Sequence, residues 1–173
     1  MGEIVKYKID IIKRTFEILN DHYPHFKDKD REVTFLMNCL LGLIVAIFEN
    51  EKMKRTILKG NIDEQFLSLI PNKIGFLNSR DISENLTSQD LTQISLNVHH
   101  KDNLSKKDKY WFVNKIRNSI AHQNIEGINE NGIWVGVRMW NSYNNKKDFE
   151  IVFQVDELKK FASELASLFI ENE

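Results

Sequence analysis

The sequence predicts a mainly α-helical protein, an antiparallel helical bundle that carries one β-hairpin before its C-terminal helix. Three observations lead there. Apolar residues recur at helical spacing over most of the chain, the run "FLMNCLLGLIVAIF" from Phe35 to Phe48 is apolar nearly all round, and only after Gly127 does the period shift towards two. With 173 residues, 42% of them hydrophobic, the chain can bury a sizeable core as one domain over residues 1–173.

Ile4, Ile9, Ile12, Phe16 and Leu19 place a first helix from Ile4 to Leu19, ending near "NDHYPHF", where Pro24 disfavours continuation. Asp30 is positioned to cap a second helix through the apolar run to about Phe48, with "ENEKMKRTI" as an extension. Its all-round hydrophobicity makes it the central element. The run falls short of the roughly 18 residues of a membrane span, and Asn38 and Gly42 interrupt it. No membrane partner is expected, and burial with a satisfied partner is the expectation for Asn38; Asn38 and Glu49 are also weighed as lining of a groove.

From Lys59 to Glu84 the pattern weakens to a long connection, with a short helical stretch before Pro71. "TSQD" and "SKKD" match a helix start signal and place helices from Ser88 to His99 and from Ser105 to about His122. "GIWVGVRMW" and "FEIVFQV" read as two strands joined through "NSYNNKKD". "DELKKFASELASLFIENE" closes the chain as a helix with Asp156 as N-cap and a stripe of Leu158, Phe161, Leu165 and Leu168.

Charge and cysteine content exclude broad classes. Twenty-four lysines and arginines against 25 aspartates and glutamates give a net charge of −1, so no global field marks a non-specific nucleic-acid or membrane binder. The lone Cys39 reads as a small buried hydrophobe, consistent with a reducing cytoplasm, and the N-terminal "MGEIVKYKID" has no apolar leader core.

The chemistry concentrates in "KIRNSIAHQN", Lys115 to Asn124. At about 100° per residue, Phe112, Val113, Ile116 and Ile120 share one side of the helix, and Arg117, Asn118 and His122 fall on the other. Asn114, Asn118 and His122 stack at i, i+4, whereas Arg117 and His122 diverge by about 140°. Arginine grips phosphate bidentately and histidine titrates near neutral pH, so this edge suits phosphate chemistry. Lys101, Lys106, Lys107, Lys109 and Lys115 outnumber Asp102 and Asp108 around it. The same residue types also complement a helix C-terminus with no ligand present, and composition alone favours that plainer role.

"RNSIAH" resembles the Arg-x4-His signature of the HEPN superfamily, in which a polar residue, often asparagine, follows the arginine near the end of a long helix. The preceding apolar helix, the hairpin and the last helix are also similar to a bacterial branch of that superfamily. The resemblance implies a HEPN-like bundle and a metal-independent endoribonuclease, a toxin or phage-defence effector. Arg117, Asn118 and His122 would be catalytic, and Lys106, Lys107, Lys109, Asn114 and Lys115 would contact RNA. It further implies a homodimer with the Arg117 and His122 face at the interface, an antitoxin protein as candidate partner, and no cofactor or metal. The alternative is a non-catalytic HEPN-like module that binds a nucleotide, RNA or protein.

Other residues offer less. His22 and His25 flank Pro24 without a nearby cysteine, and the adjacent His99 and His100 point apart on a helix. Trp111, Trp134 and Trp140 could stack bases, but such aromatics more often pack in cores and hairpins. The chain has no Gly-rich phosphate loop or Ser nucleophile elbow.

Overall fold

A computed structural model describes residues 7–29, 31–48, 50, 55–71, 74–76, 106–143 and 146–172. In chain order the elements are α1 (Tyr7–Phe26), α2 (Glu32–Phe48), α3 (Glu64–Leu67), β1 (Ile74–Phe76), α4 (Lys109–Ala121), β2 (Ile125–Glu130), β3 (Ile133–Tyr143), β4 (Lys146–Gln154) and α5 (Val155–Glu171). The helix expected from Ser88 to His99, the start at Ile4, the Asp30 cap, Glu49, Ser105 and Lys101 all lie outside the described residues.

The all-round apolar run becomes α2 and is central, as expected. It buries Val33, Leu36, Leu40, Leu43, Ile44 and Ile47 together with Cys39, and packs against α1, α4, α5 and β3. Burial of each such aliphatic side chain contributes roughly 1.5–3 kcal/mol. Asn38 departs from the expectation: it is exposed among the described residues, on a strip of α2 shared with the exposed Thr34 one turn before it.

Pro24 does not stop α1, which runs on to Phe26. Tertiary anchors outweigh the local cost. Tyr23 is buried and its hydroxyl donates to Glu32 Oε1 at 2.6 Å, while Phe26 stacks on Phe35 with centroids 4.5 Å apart. Burial, and then the Glu32 carboxylate, hold the Tyr23 phenol well above its ordinary pKa.

The hairpin is present and belongs to a larger antiparallel sheet of order β1-β4-β3-β2. β3 and β4 pair with Val137 opposite Phe153 and Met139 opposite Ile151; these four and Phe149 are fully buried against the helices. β2 adds an edge through the Asn131–Gly132 turn, where both residues have positive φ, 53° and 84°, as a two-residue hairpin loop requires. At the other edge, β1 pairs with β4, Gly75 opposite Glu150, inside the region expected to be irregular. The sheet's second face carries a charged row: Arg138, 5% exposed, donates through Nη2 to Glu126 Oε2, with Nε 3.3 Å from Glu150 Oε1. The Trp140 ring lies 5.2 Å from the Arg138 guanidinium carbon.

Two helix starts differ from expectation. α4 begins at Lys109 with Asp108 as N-cap, its carboxylate accepting from the Trp111 N–H. α5 begins two residues earlier than expected, with Gln154 at the cap position; its N–H donates to Glu157 Oε2 at 2.8 Å. Both shifts reflect cap chemistry that several nearby polar residues could have supplied. The apolar stripe of α5 is otherwise as expected, with Leu158, Phe161 and Leu165 fully buried and Leu168 half-buried.

Candidate functional site

Helix α4 carries the Arg-x4-His stretch, and both of its ends are fixed. At the start, the Lys109 and Tyr110 N–H groups donate to the Gly60 and Leu58 carbonyls at 3.1 and 3.2 Å, and the Ile62 N–H donates to the Lys107 carbonyl at 2.9 Å. With the Asp108 side chain accepting from Trp111, the N–H groups of Lys109, Tyr110 and Trp111, which a helix start leaves without intrahelical partners, are all bonded.

At the end, His122 is the C-cap and Gln123 adopts a left-handed conformation with φ 56°. Its N–H donates to the Ile120 carbonyl at 3.1 Å, and the Asn124 N–H donates to the Ser119 carbonyl at 2.9 Å. This paired closure is a Schellman motif with glutamine where glycine is usual. The next residue is tied to the sheet, since the Trp140 N–H donates to the Asn124 carbonyl at 3.1 Å. His122 thus sits where the helix stops and the chain turns into β2.

Phe112, Val113, Ile116 and Ile120 are buried, as the helical wheel expects. On the open side, Arg117 and His122 are exposed, and Asn114, Lys115 and Asn118 are half-buried. Arg117 Nη1 donates to Asn118 Oδ1 at 3.0 Å in an exposed contact between neighbours. The His122 N–H donates to the Asn118 carbonyl at 3.0 Å, so the two residues lie one turn apart on one face. This arrangement sets a cation and an amide side by side, with an imidazole one helical turn on from the amide, groups of the kind that can receive a phosphate diester.

The lysines divide. Lys107 and Lys115 flank Trp111, their ammonium groups 5.4 and 5.9 Å from its ring centroid, and Lys106 is exposed just before the helix. Lys109 points to the other side. It pairs with Asp63 at 2.5 Å at a cleft lined also by Phe66, Lys160, Glu164 and Leu168, and that pairing holds the Asp63 carboxyl below its ordinary pKa. Lys109 is therefore engaged away from Arg117 and His122.

Two further contributors stand outside the set of signature residues. Ser119 is fully buried and Asn141, on β3, is 7% exposed. Asn141 Nδ2 donates to the Lys115 carbonyl at 2.6 Å and to Ser119 Oγ at 2.7 Å, while the Ser119 hydroxyl donates to the Lys115 carbonyl at 2.9 Å. This network binds the turn carrying Arg117 and Asn118 to the sheet. Ser119 lies inside the motif at i+4 from Lys115, a readable signal; Asn141 lies in a polar stretch that reads as a turn.

Among the described residues, no group of three or more His, Cys, Asp and Glu side chains is placed to hold a metal ion. His22 and His25 are exposed, with ring centroids 6.3 Å apart. Among the same residues, no helix is long and apolar enough to cross a membrane.

Comparison with curated proteins and with solved structures returns no match. Comparison with protein families returns one described as HEPN pEK499 p136, whose model matches residues 1–173. With the Arg-x4-His stretch on the last turns of α4 and a match over the whole length, the chain belongs to the HEPN pEK499 p136 family.

Proposed function

We propose that the chain is a metal-independent endoribonuclease that cleaves RNA by attack of a ribose 2′-hydroxyl on the adjacent phosphate, acting as a toxin or phage-defence effector. The observation that carries this reading is the set Arg117, Asn118 and His122 on the open, anchored end of α4, with Arg117 Nη1 and Asn118 Oδ1 joined at 3.0 Å. In the reaction the 2′-oxygen forms a bond to phosphorus and the bond to the 5′-oxygen breaks. The products are a 2′,3′-cyclic phosphate and a 5′-hydroxyl.

His122 takes the 2′-hydroxyl proton or delivers one to the departing 5′-oxygen. Arg117 stabilises the negative charge that builds on the non-bridging oxygens, where a cation already in place needs no reorganisation. Asn118 holds the guanidinium in position and presents its amide to the phosphate. One copy of α4 supplies one imidazole, so the acid and base roles call for the corresponding face of a second copy. Homodimerisation through this face follows, and RNA is the partner class. An antitoxin protein that covers the face is a further candidate partner, and cytoplasmic RNA is the natural substrate pool.

The test is incubation of wild type and His122→Ala with total RNA in EDTA. Wild type is expected to cut and the variant is not. Equal cutting by a clean variant preparation removes His122 from the mechanism. The net charge of −1 favours a second reading, a non-catalytic module that binds RNA, a nucleotide or a protein on the same face. Binding without cutting by the wild type selects it.

A further inference from the structure

Trp111 is the tryptophan on α4, whereas Trp134 and Trp140 lie on β3. The Arg138 guanidinium carbon lies 5.2 Å from the Trp140 ring centroid, and the Trp134 ring, 43% exposed, lies across Gly127, where an added Cβ would meet it at 2.3 Å. Trp111 instead shares α4 with the Arg-x4-His stretch. Lys115 follows Trp111 at i+4 on the helix, and Lys107, in the segment just before the Asp108 cap, also reaches the indole, so that the two ammonium groups stand 5.9 and 5.4 Å from the ring centroid. The ring meets Phe149 edge-on, with centroids 5.9 Å apart and an interplanar angle of 82°, so its orientation is fixed by the core beneath. Along the axis it stands about 10 Å before Asn118 and about 16 Å before His122, on the same open side.

From this cluster we infer that Trp111, with Lys107 and Lys115, is a stacking subsite for an unpaired base of the strand that is cut, set a short stretch of backbone away from the scissile phosphate. The inference rests on the cleavage reading for the course of the strand along α4. An indole offers a π-face that any nucleobase can cover, and lysines beside it can leave the ring to pair with the phosphates flanking that base. A base already paired and stacked inside a duplex cannot reach the ring. The subsite therefore selects single-stranded RNA or an unpaired loop, and tolerates different bases. This gives the face a substrate preference that a net charge of −1 cannot supply through long-range attraction.

The experiment uses labelled oligouridylate and oligoadenylate carrying 2′-O-methyl groups, which remove the nucleophile and leave binding to be read alone, and a duplex of the two. Fluorescence anisotropy in EDTA compares wild type, Trp111→Leu, which retains apolar bulk against Phe149, and Trp111→Phe, which retains a ring. Trp111→Leu is expected to bind single strands at least about ten-fold more weakly, and Trp111→Phe to stay near the wild type. A Trp134→Phe, Trp140→Phe protein keeps Trp111 as its only indole; single strands are expected to quench its emission and the duplex is not. Unchanged affinity in Trp111→Leu, absence of quenching, or no single-strand binding by the wild type each overturns the subsite.

The two readings fail separately when the same proteins are given unmodified RNA. Quenching and Trp111-dependent affinity in a protein that leaves RNA uncut uphold the subsite and remove the nuclease. Cutting by the wild type with unaltered binding in Trp111→Leu does the reverse.

Discussion

Arg117 is exposed and its bond runs to its own neighbour, so its removal should touch chemistry far more than stability. Arg117→Ala is expected to lower the cleavage rate by roughly 10²-fold or more while shifting unfolding free energy by no more than about 0.5 kcal/mol. Single-turnover cleavage and chemical denaturation on the same preparation check the two halves. A large loss of stability would make Arg117 a structural residue. Cys39 belongs to the opposite class. Burial pushes its thiol from the ordinary 9.0 up to about 11. A thiol with a higher pKa folded than unfolded contributes stability in full below the unfolded value and loses it as pH rises towards the folded one. Unfolding free energy is therefore expected to fall from pH 9.0 towards about 11 by an amount on the order of 2 kcal/mol. Tyr23 adds to the slope above its ordinary 10.0. Denaturation midpoints measured across this range check it, and a flat profile in which Cys39→Ala matches the wild type would contradict it. Both residues were legible in the sequence, one as a cation on a polar helix face and the other as a hydrophobe in an apolar run. Asn38 was not, because an apolar run does not say which strip of a nearly uniform helix is left uncovered.

At the scale of elements, the site depends on α4 being held at both ends and in the middle. Ser119 and Asn141 form the middle anchor with the Lys115 carbonyl. Asn141→Leu removes two donors from a buried carbonyl and hydroxyl, a change worth about 1–3 kcal/mol. For a chain of this size that is a fall in Tm of roughly 3–10 °C. Cleavage is expected to fall further than stability accounts for at a temperature where both proteins are folded, because the Arg117 turn loses its tie to the sheet. Melting curves and cleavage rates at one temperature check this; unchanged cleavage in a folded Asn141→Leu would show that the anchor does not position the site. The helices themselves were readable from apolar periodicity, since burial of one face dictates it. The strand β2 was readable in principle from the Asn131–Gly132 pair, which marks a two-residue hairpin turn, but its polar composition hid it. Asn141 and β1 carry no such local signal, because what fixes them is pairing with residues far along the chain.

For the whole molecule, one cluster of buried residues runs from α1 and α2 through α4 and the inner face of the sheet to α5, and the Arg-x4-His stretch stands at its margin. That placement makes the face available to a second copy. The protein is expected to be a dimer at micromolar concentration by light scattering, and a monomer there would count against a composite site. Bundle and hairpin were legible because they follow from periods of 3.6 and 2; the site was legible only because its residue types stand on an otherwise apolar helix and resemble a known signature. Composition alone would have left Arg117 and His122 as helix-end residues.

The most direct measurement is the chemistry of the new 3′ ends, read by mass spectrometry after wild type and His122→Ala act on RNA in EDTA. The expected result is 2′,3′-cyclic phosphate on every new 3′ terminus with the wild type and none with the variant. Termini bearing 3′-hydroxyl groups, or cyclic ends produced equally by both proteins, would contradict attack by the 2′-hydroxyl with His122 as its proton carrier.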